Sequence, residues 1–247
     1  MKRRDLMKWL LTLPAAQLLA ETDPTLQFQF CMLALGPDWN TRERALVKLC
    51  FEIQKRCNIP IENQARSCTI NQVLDVGSPF FIVSGAQPLP EITTHQADLL
   101  RTALNAGGLL LFDSFADAND DRFYRSAIKM MQKVFPELGP PQKIPNDHTI
   151  FQSYYLLKEA RGRTNRTNYL EGWTRGNRTL AFFSHNDLLG ALETDSLGNW
   201  SNNMEIGGGF RRELCFRLAI NLTYYTLTLN YKKDRAFPPV IERRRRQ

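Results

Sequence analysis

The chain has 247 residues, 43% of them apolar and 23% charged, enough sequence and enough apolar side chains for one α/β domain with a large core. The formal charge of +7 sits mostly at the two ends, in Lys2, Arg3, Arg4 and Lys8 against Asp5 and in Arg243, Arg244, Arg245 and Arg246. The body between them is close to neutral and carries no nucleic-acid motif, so nothing in charge or pattern makes nucleic acid a partner.

Residues 1–20 read as a targeting segment. Arg3 and Arg4, a one-residue spacer, Leu6 and then Lys8 resemble the twin-arginine export motif, and residues 9–20 form a modest apolar stretch too short to span a bilayer stably. The expected partner is the twin-arginine translocation machinery and the expected location the periplasm. An uncleaved segment would leave the protein anchored to the membrane. The organisation expected is a signal at 1–20, one α/β domain at 21–235 and a basic tail at 236–247.

Residues 26–33 begin by alternating and then turn apolar, a first strand. Asn40 with Glu43 three residues on marks a helix start, and Ala45, Leu46, Leu49 and Ile53 give that helix its inward face until Pro60. Residues 68–73 read as a short strand. The clearest signal follows. Phe80-Phe81-Ile82-Val83 and Leu109-Leu110-Leu111-Phe112 are continuous apolar runs, as strands covered by helices on both faces require. Between them Thr93 and Gln96 fit a capping box, Leu99, Leu100, Ala103 and Leu104 form one helical stripe, and Gly107-Gly108 ends the helix. This is a strand–helix–strand unit of a parallel sheet.

Beyond it, residues 123–135 are helical, with Phe123, Ile128, Met131 and Val134 as inward positions, and residues 138–145 are a Pro- and Gly-rich loop. Residues 161–168 lack apolar anchors and read as a mobile surface excursion. Residues 180–184 form another strand, ending in His185-Asn186-Asp187. Gly207, Gly208 and Gly209 open a long helix with Phe210, Leu214, Leu218, Leu222, Tyr225 and Leu229 at helical spacing; Arg217 and Asn221 argue against a membrane span. The glycines could bind an anion, but they lack the Lys-Ser/Thr of a P-loop, and a hinge is the expected role.

Ligands in such sheets bind at the carboxyl ends of the strands. That places a site near Ser84-Gly85, Asp113-Ser114 and the acidic residues Asp117, Asp120 and Asp121; the plainer expectation is that Asp113 caps a turn. If strand-end loops converge, Asp113, His148, His185 and Asp187 would supply two imidazoles and two carboxylates, suited to a divalent transition metal or to acid–base hydrolysis. No metal-ligand spacing supports the set, and structural hydrogen bonding is the expectation for both histidines. His95 belongs to a helix's first turn and is expected to be exposed. Ser114 or Ser84 with His185 or His148 would make a serine hydrolase, but neither serine lies in a Gly-x-Ser-x-Gly elbow. The five cysteines are expected as free thiols, Cys50 and Cys57 being two turns apart on one helix.

Phe80-Phe81-Ile82-Val83-Ser84-Gly85, the run from Leu99 to Asp113 with Gly107-Gly108, Val134-Phe135-Pro136 with Leu138, Asp147-His148-Thr149-Ile150-Phe151, and Arg217-Leu218-Ala219-Ile220-Asn221 continuing to Asn230-Tyr231-Lys232 together resemble an uncharacterised bacterial domain-of-unknown-function family. The resemblance runs from residue 26 to the C-terminus. It implies a three-layer α/β sandwich with a mainly parallel sheet, flavodoxin-like and similar to class I glutamine amidotransferases, on exported or membrane-associated proteins. The cofactor stays unknown, none being strongly implied. Glutamine amidotransferases carry a Gly-x-Cys-x-Gly nucleophile elbow, and this chain has none. The expected function is therefore a non-catalytic exported domain that binds a ligand or a protein partner in an envelope assembly, with a metal-dependent or acid–base hydrolase as the alternative.

Overall fold

The computed structural model describes residues 27–228; the export segment with Arg3, Arg4, Leu6 and Lys8, and the arginine tail, lie outside them. Seven strands form one sheet: β1 (Phe30–Leu33), β2 (Arg66–Cys68), β3 (Phe80–Gly85), β4 (Leu109–Ser114), β5 (Gln142–Lys143), β6 (Glu171–Arg175) and β7 (Arg178–Ser184). Their order across the sheet is β2-β1-β3-β4-β7-β6-β5. The first five run parallel, and β6 and β5 add an antiparallel extension beyond β7.

Five helices cover the two faces: α1 (Glu43–Cys57), α2 (Thr94–Asn105), α3 (Arg122–Val134), α4 (Leu188–Leu192) and α5 (Gly208–Thr228). Alternate strand residues point to opposite faces. Phe80, Ile82, Leu109, Leu111 and Phe182 pack with α1, α4 and α5, whereas Phe81, Val83, Leu110, Phe112 and Phe183 pack with α2 and α3. The result is a three-layer α/β sandwich, and the continuous apolar runs of β3 and β4 follow from it: every residue of both strands is buried. Full burial of each large side chain contributes about 1.5–3 kcal/mol.

The central unit forms as its sequence dictates. Thr93 Oγ1 accepts from Gln96 N at 3.1 Å while Gln96 Oε1 accepts from Thr93 N at 2.9 Å. The chain leaves α2 through Gly107 at φ +117°, a conformation that side chains oppose. In α1 the four expected inward residues are all buried, but the helix begins after Arg42, and Asn40 contributes only a backbone turn to Glu43.

Four local expectations are corrected. The strand expected at 68–73 is β2 ending at Cys68, because Thr69 and Gln72 form a capping box that starts a 3-10 turn at Ile70–Gln72. Within the loop at 138–145, Gln142–Lys143 pairs with β6, a strand not expected at all. On α3, Ala127 and Met130 are buried and Ile128 only partly. On α5, Leu218, Leu222 and Tyr225 are buried but Phe210 is 76% exposed. Arg211 and Arg212 occupy the buried side of that first turn and donate to the carbonyls of Gly162 and Thr164, and of Ala191 and Asn202. Asn221, the polar residue that argued against a membrane span, is fully buried and donates to Ile150 O and Tyr155 O while accepting from Tyr154 N and Tyr155 N. Among the described residues no helix is long and apolar enough to cross a membrane.

Candidate functional site

The carboxyl ends of β4 and β7 lie side by side, Asp113 opposite Ser184. Asp113 is fully buried, and its two oxygens accept from Leu188 N and Leu189 N, each at 2.8 Å. Burial and the charge of Asp187 raise its pKa to about 7 against these two donors. Asp187, at the start of α4, holds φ +51°, a left-handed conformation that Asp tolerates better than most residues. Its carboxylate accepts from Gly190 N at 3.0 Å, from Arg42 Nε at 3.1 Å and Nη2 at 2.9 Å, and from Arg163 Nε. Arg42 also donates to Glu193 at 2.7 Å and stacks its guanidinium over Phe115. Burial works against the Arg42 cation, but Asp187 and Glu193 outweigh it and raise its pKa. All four oxygens of Asp113 and Asp187 are thus occupied, and neither side chain reaches solvent. These two candidates are structural hubs that fix the strand ends.

What does reach solvent is a cleft of about 350 Å³ beside them, walled by Ser114, Asp120, Asp121, Tyr124, Arg166 and His185. His185 Nε2 lies 2.8 Å from Glu171 Oε2 on neighbouring β6. Its ring packs against Tyr124 and Phe183, with centroids 5.0 and 4.7 Å away. Burial pushes Glu171 up, but hydrogen bonds from His185 and Tyr124 outweigh it and hold its carboxyl below the usual range. Burial and the Glu171 carboxylate together raise the Tyr124 phenol. Asp120 and Asp121 are matched by their own helix, in ion pairs with Arg122 and Arg125. The Arg166 side chain makes no ion pair among the described residues; only its backbone is held, Arg166 N donating to Asn186 Oδ1 at 2.8 Å.

The wall carrying Arg166 corrects another expectation. Residues 161–168 are strapped down, by polar contacts rather than apolar ones. Asn186 accepts from Arg166 N and Thr167 N and donates to Thr167 O. Thr164 N donates to Asn186 O, and Arg211 clasps the strap through Gly162 O and Thr164 O. At Gly162 an added Cβ would lie 2.2 Å from Asn186 O, so only glycine permits this approach.

His148 stands apart from the other candidates. It caps the 3-10 turn Thr149–Phe151, accepting from Ile150 N at Nδ1, and its Nε2 lies 3.1 Å from Thr179 Oγ1. Thr179 is at the opposite end of β7 from His185, about 20 Å away over six extended residue steps. The four-residue set Asp113, His148, His185 and Asp187 therefore does not assemble, and among the described residues no three His, Cys, Asp or Glu side chains are placed to hold a metal ion. His95 is exposed. Ser84 is buried away from the cleft wall, at the end of β3. None of the five cysteines, all free, lines the cleft. A second hollow of about 260 Å³ between residues 89–92 and α3 is walled by aliphatic groups with Glu91, Ser126, Lys129 and Lys133, and Lys133 already donates to Ile92 O there.

Sequence reasoning placed Ser114, Asp120, Asp121 and His185 near the strand ends but missed Tyr124, Arg166 and Glu171. Glu171 was findable. Gly176-Asn177, between residues 171–175 and 178–184, is a two-residue hairpin signal, and Gly176 has φ +61°.

These features define an α/β sandwich with a polar cleft at the carboxyl ends of its central strands. Residues 26–227 match a domain of unknown function, DUF4159, and the chain belongs to that family. No curated protein matches it significantly.

Proposed function

We propose that this protein is a non-catalytic ligand-binding domain, exported by the twin-arginine machinery to work in the cell envelope, and that it takes a small anionic ligand in the cleft beside β4 and β7. One observation carries the reading: Arg166, without an ion-pair partner among the described residues, shares a cleft with His185, whose Nε2 is held 2.8 Å from Glu171 and whose ring packs on Tyr124. The acidic residues in the same wall are already neutralised, so the unmatched charge is positive. A carboxylate or phosphate would meet a guanidinium fork there, with Ser114 and His185 as further polar contacts. The likeness to glutamine amidotransferases supports a ligand site at this strand end, while the lack of a cysteine in the cleft speaks against their chemistry.

The test is native mass spectrometry of the full-length protein isolated from its own envelope fraction, with N-terminal sequencing of the same sample. A bound small molecule that disappears in Arg166→Ala and His185→Ala, on a chain shortened after the export segment, is the expected result. A ligand-free mass, together with no thermal stabilisation by phosphate or small carboxylates, refutes the ligand; an intact N-terminus in the cytoplasmic fraction refutes export.

The second reading is hydrolysis. The imidazole of His185 is backed by Glu171, as a general base is in acyl-transfer enzymes, and Ser114 opens on the same cleft. Turnover of activated esters that vanishes in both Ser114→Ala and His185→Ala would replace the binding reading with this one.

A further inference from the structure

Two cysteines meet at the edge of the sheet farthest from β5. Cys31 lies in β1 and Cys68 ends β2, which among the described residues is the outermost strand and pairs with β1 alone. Cys68 pairs in register with Leu33 and Cys31 with Arg66, so the two thiols sit diagonally on one face of the sheet. Both point into the core under α2 and α3. Their sulfurs are 3.0 Å apart. A disulfide holds its sulfurs about 2 Å apart, so closing the bond brings them roughly 1 Å nearer and draws the diagonal pair's backbone in with them. The other three thiols lie on α1 and α5 and have no such partner among the described residues.

We propose that Cys31 and Cys68 are a disulfide-forming pair, reduced in this structure and converted in an oxidising compartment to a cross-strand disulfide that ties the edge strand β2 to β1. The oxidant is a low-molecular-weight disulfide acting by thiol–disulfide exchange. The Cys68 thiolate attacks it, forming a mixed disulfide and releasing one thiol. The Cys31 thiolate then displaces the second thiol from Cys68. Two protein thiols lose two protons and two electrons, and the oxidant's sulfur–sulfur bond is reduced to two thiols. Cys68 attacks first because it is the less buried of the two and sits on the outermost strand. Its strand is three residues long and its neighbours Arg66 and Ser67 are exposed, so a small local opening admits the oxidant. The bond would close a loop between residues 37 apart, a loop that contains all of α1 and Arg42. The site lies across β1 and β3 from the cleft, so this inference and the ligand reading stand or fall separately.

The experiment refolds the full-length protein from denaturant in reduced or in oxidised glutathione, then alkylates under denaturing conditions and maps the peptides. Oxidised protein is expected two hydrogen atoms lighter, with a Cys31–Cys68 cross-linked peptide pair, three thiols alkylated rather than five, and a melting temperature higher by roughly 5–10 °C. Because refolding starts from the open chain, burial cannot hide either thiol from the oxidant. Five alkylated thiols after oxidative refolding, or a bond between any other pair, overturns the proposal. Cys68→Ser, which keeps the size of the residue, is expected to leave both redox forms melting alike; a gap that persists in this variant also overturns it.

Discussion

Replacing Arg42 with methionine tests whether the strand ends are held by charge. Methionine keeps most of the aliphatic stem and removes the guanidinium, which joins Asp187 to Glu193 and stacks over Phe115. The Asp187 side chain has no exposure and those of Arg42 and Glu193 only 10% and 11%, so solvent cannot replace the lost partner. Breaking a buried ion pair from one side costs about 3–5 kcal/mol, because a charge is stranded without a counter-ion. Here the lower end applies. Asp187 keeps Arg163 and the Gly190 amide, and Glu193 keeps Asn202 at 2.8 Å. About 3 kcal/mol is a large share of the 5–15 kcal/mol typical of a folded domain and lowers Tm by roughly 6–12 °C at this size. Urea unfolding followed by tryptophan fluorescence reads the change, and adding Asp187→Asn should recover part of it, since the stranded charge is then gone. Arg122 serves as the control: its side chain is 57% exposed, and Arg122→Met should leave the midpoint unchanged. If Arg42→Met is as silent as that control, the buried network does not hold the strand ends.

Gly162→Ala should destabilise the protein by about 2 kcal/mol or more, because the added methyl group meets the Asn186 carbonyl carbon and oxygen, which are backbone and cannot swing aside; faster hydrogen exchange at the Thr164 and Thr167 amides would locate the damage in the strap. Asp113 predicts a pH effect of definite sign. Its carboxyl titrates near 3.8 when unfolded and about 7 when folded, so the stability it contributes is full below pH 3.8 and fades as pH rises through 7. The wild type should therefore lose stability relative to Asp113→Asn between pH 5 and pH 8, and parallel urea midpoints across that range would refute the assignment.

The β3-α2-β4 unit was legible because three independent signals agree there: doubly buried apolar runs, the Thr93–Gln96 box, and Gly107 at the helix end. The strap at 161–168 was not, since its anchors are Gly162 and the amide of Asn186. Polar burial leaves no periodic trace in a sequence. The cleft was half legible for a related reason. Strand-end logic finds Ser114 and His185, but Glu171 joins His185 across a hairpin, and only the pairing of β6 with β7 puts the two side by side. The same logic misplaced His148, because residues 147–151 resemble any other loop until their turn is seen docked at the amino end of β7.

The two edges of the sheet share a property that bears on solution behaviour. The outermost strands, β2 and β5, are also the shortest, with three and two residues, and Arg66, Ser67, Gln142 and Lys143 are all exposed on them. A neighbouring chain seeking to extend the sheet would find too few free amide and carbonyl groups to register against, and a cation on each side. Both margins are built to discourage strand addition. A seven-stranded sheet with so apolar an interior is thereby protected from polymerising edge to edge, at the cost of rims that contribute little pairing of their own.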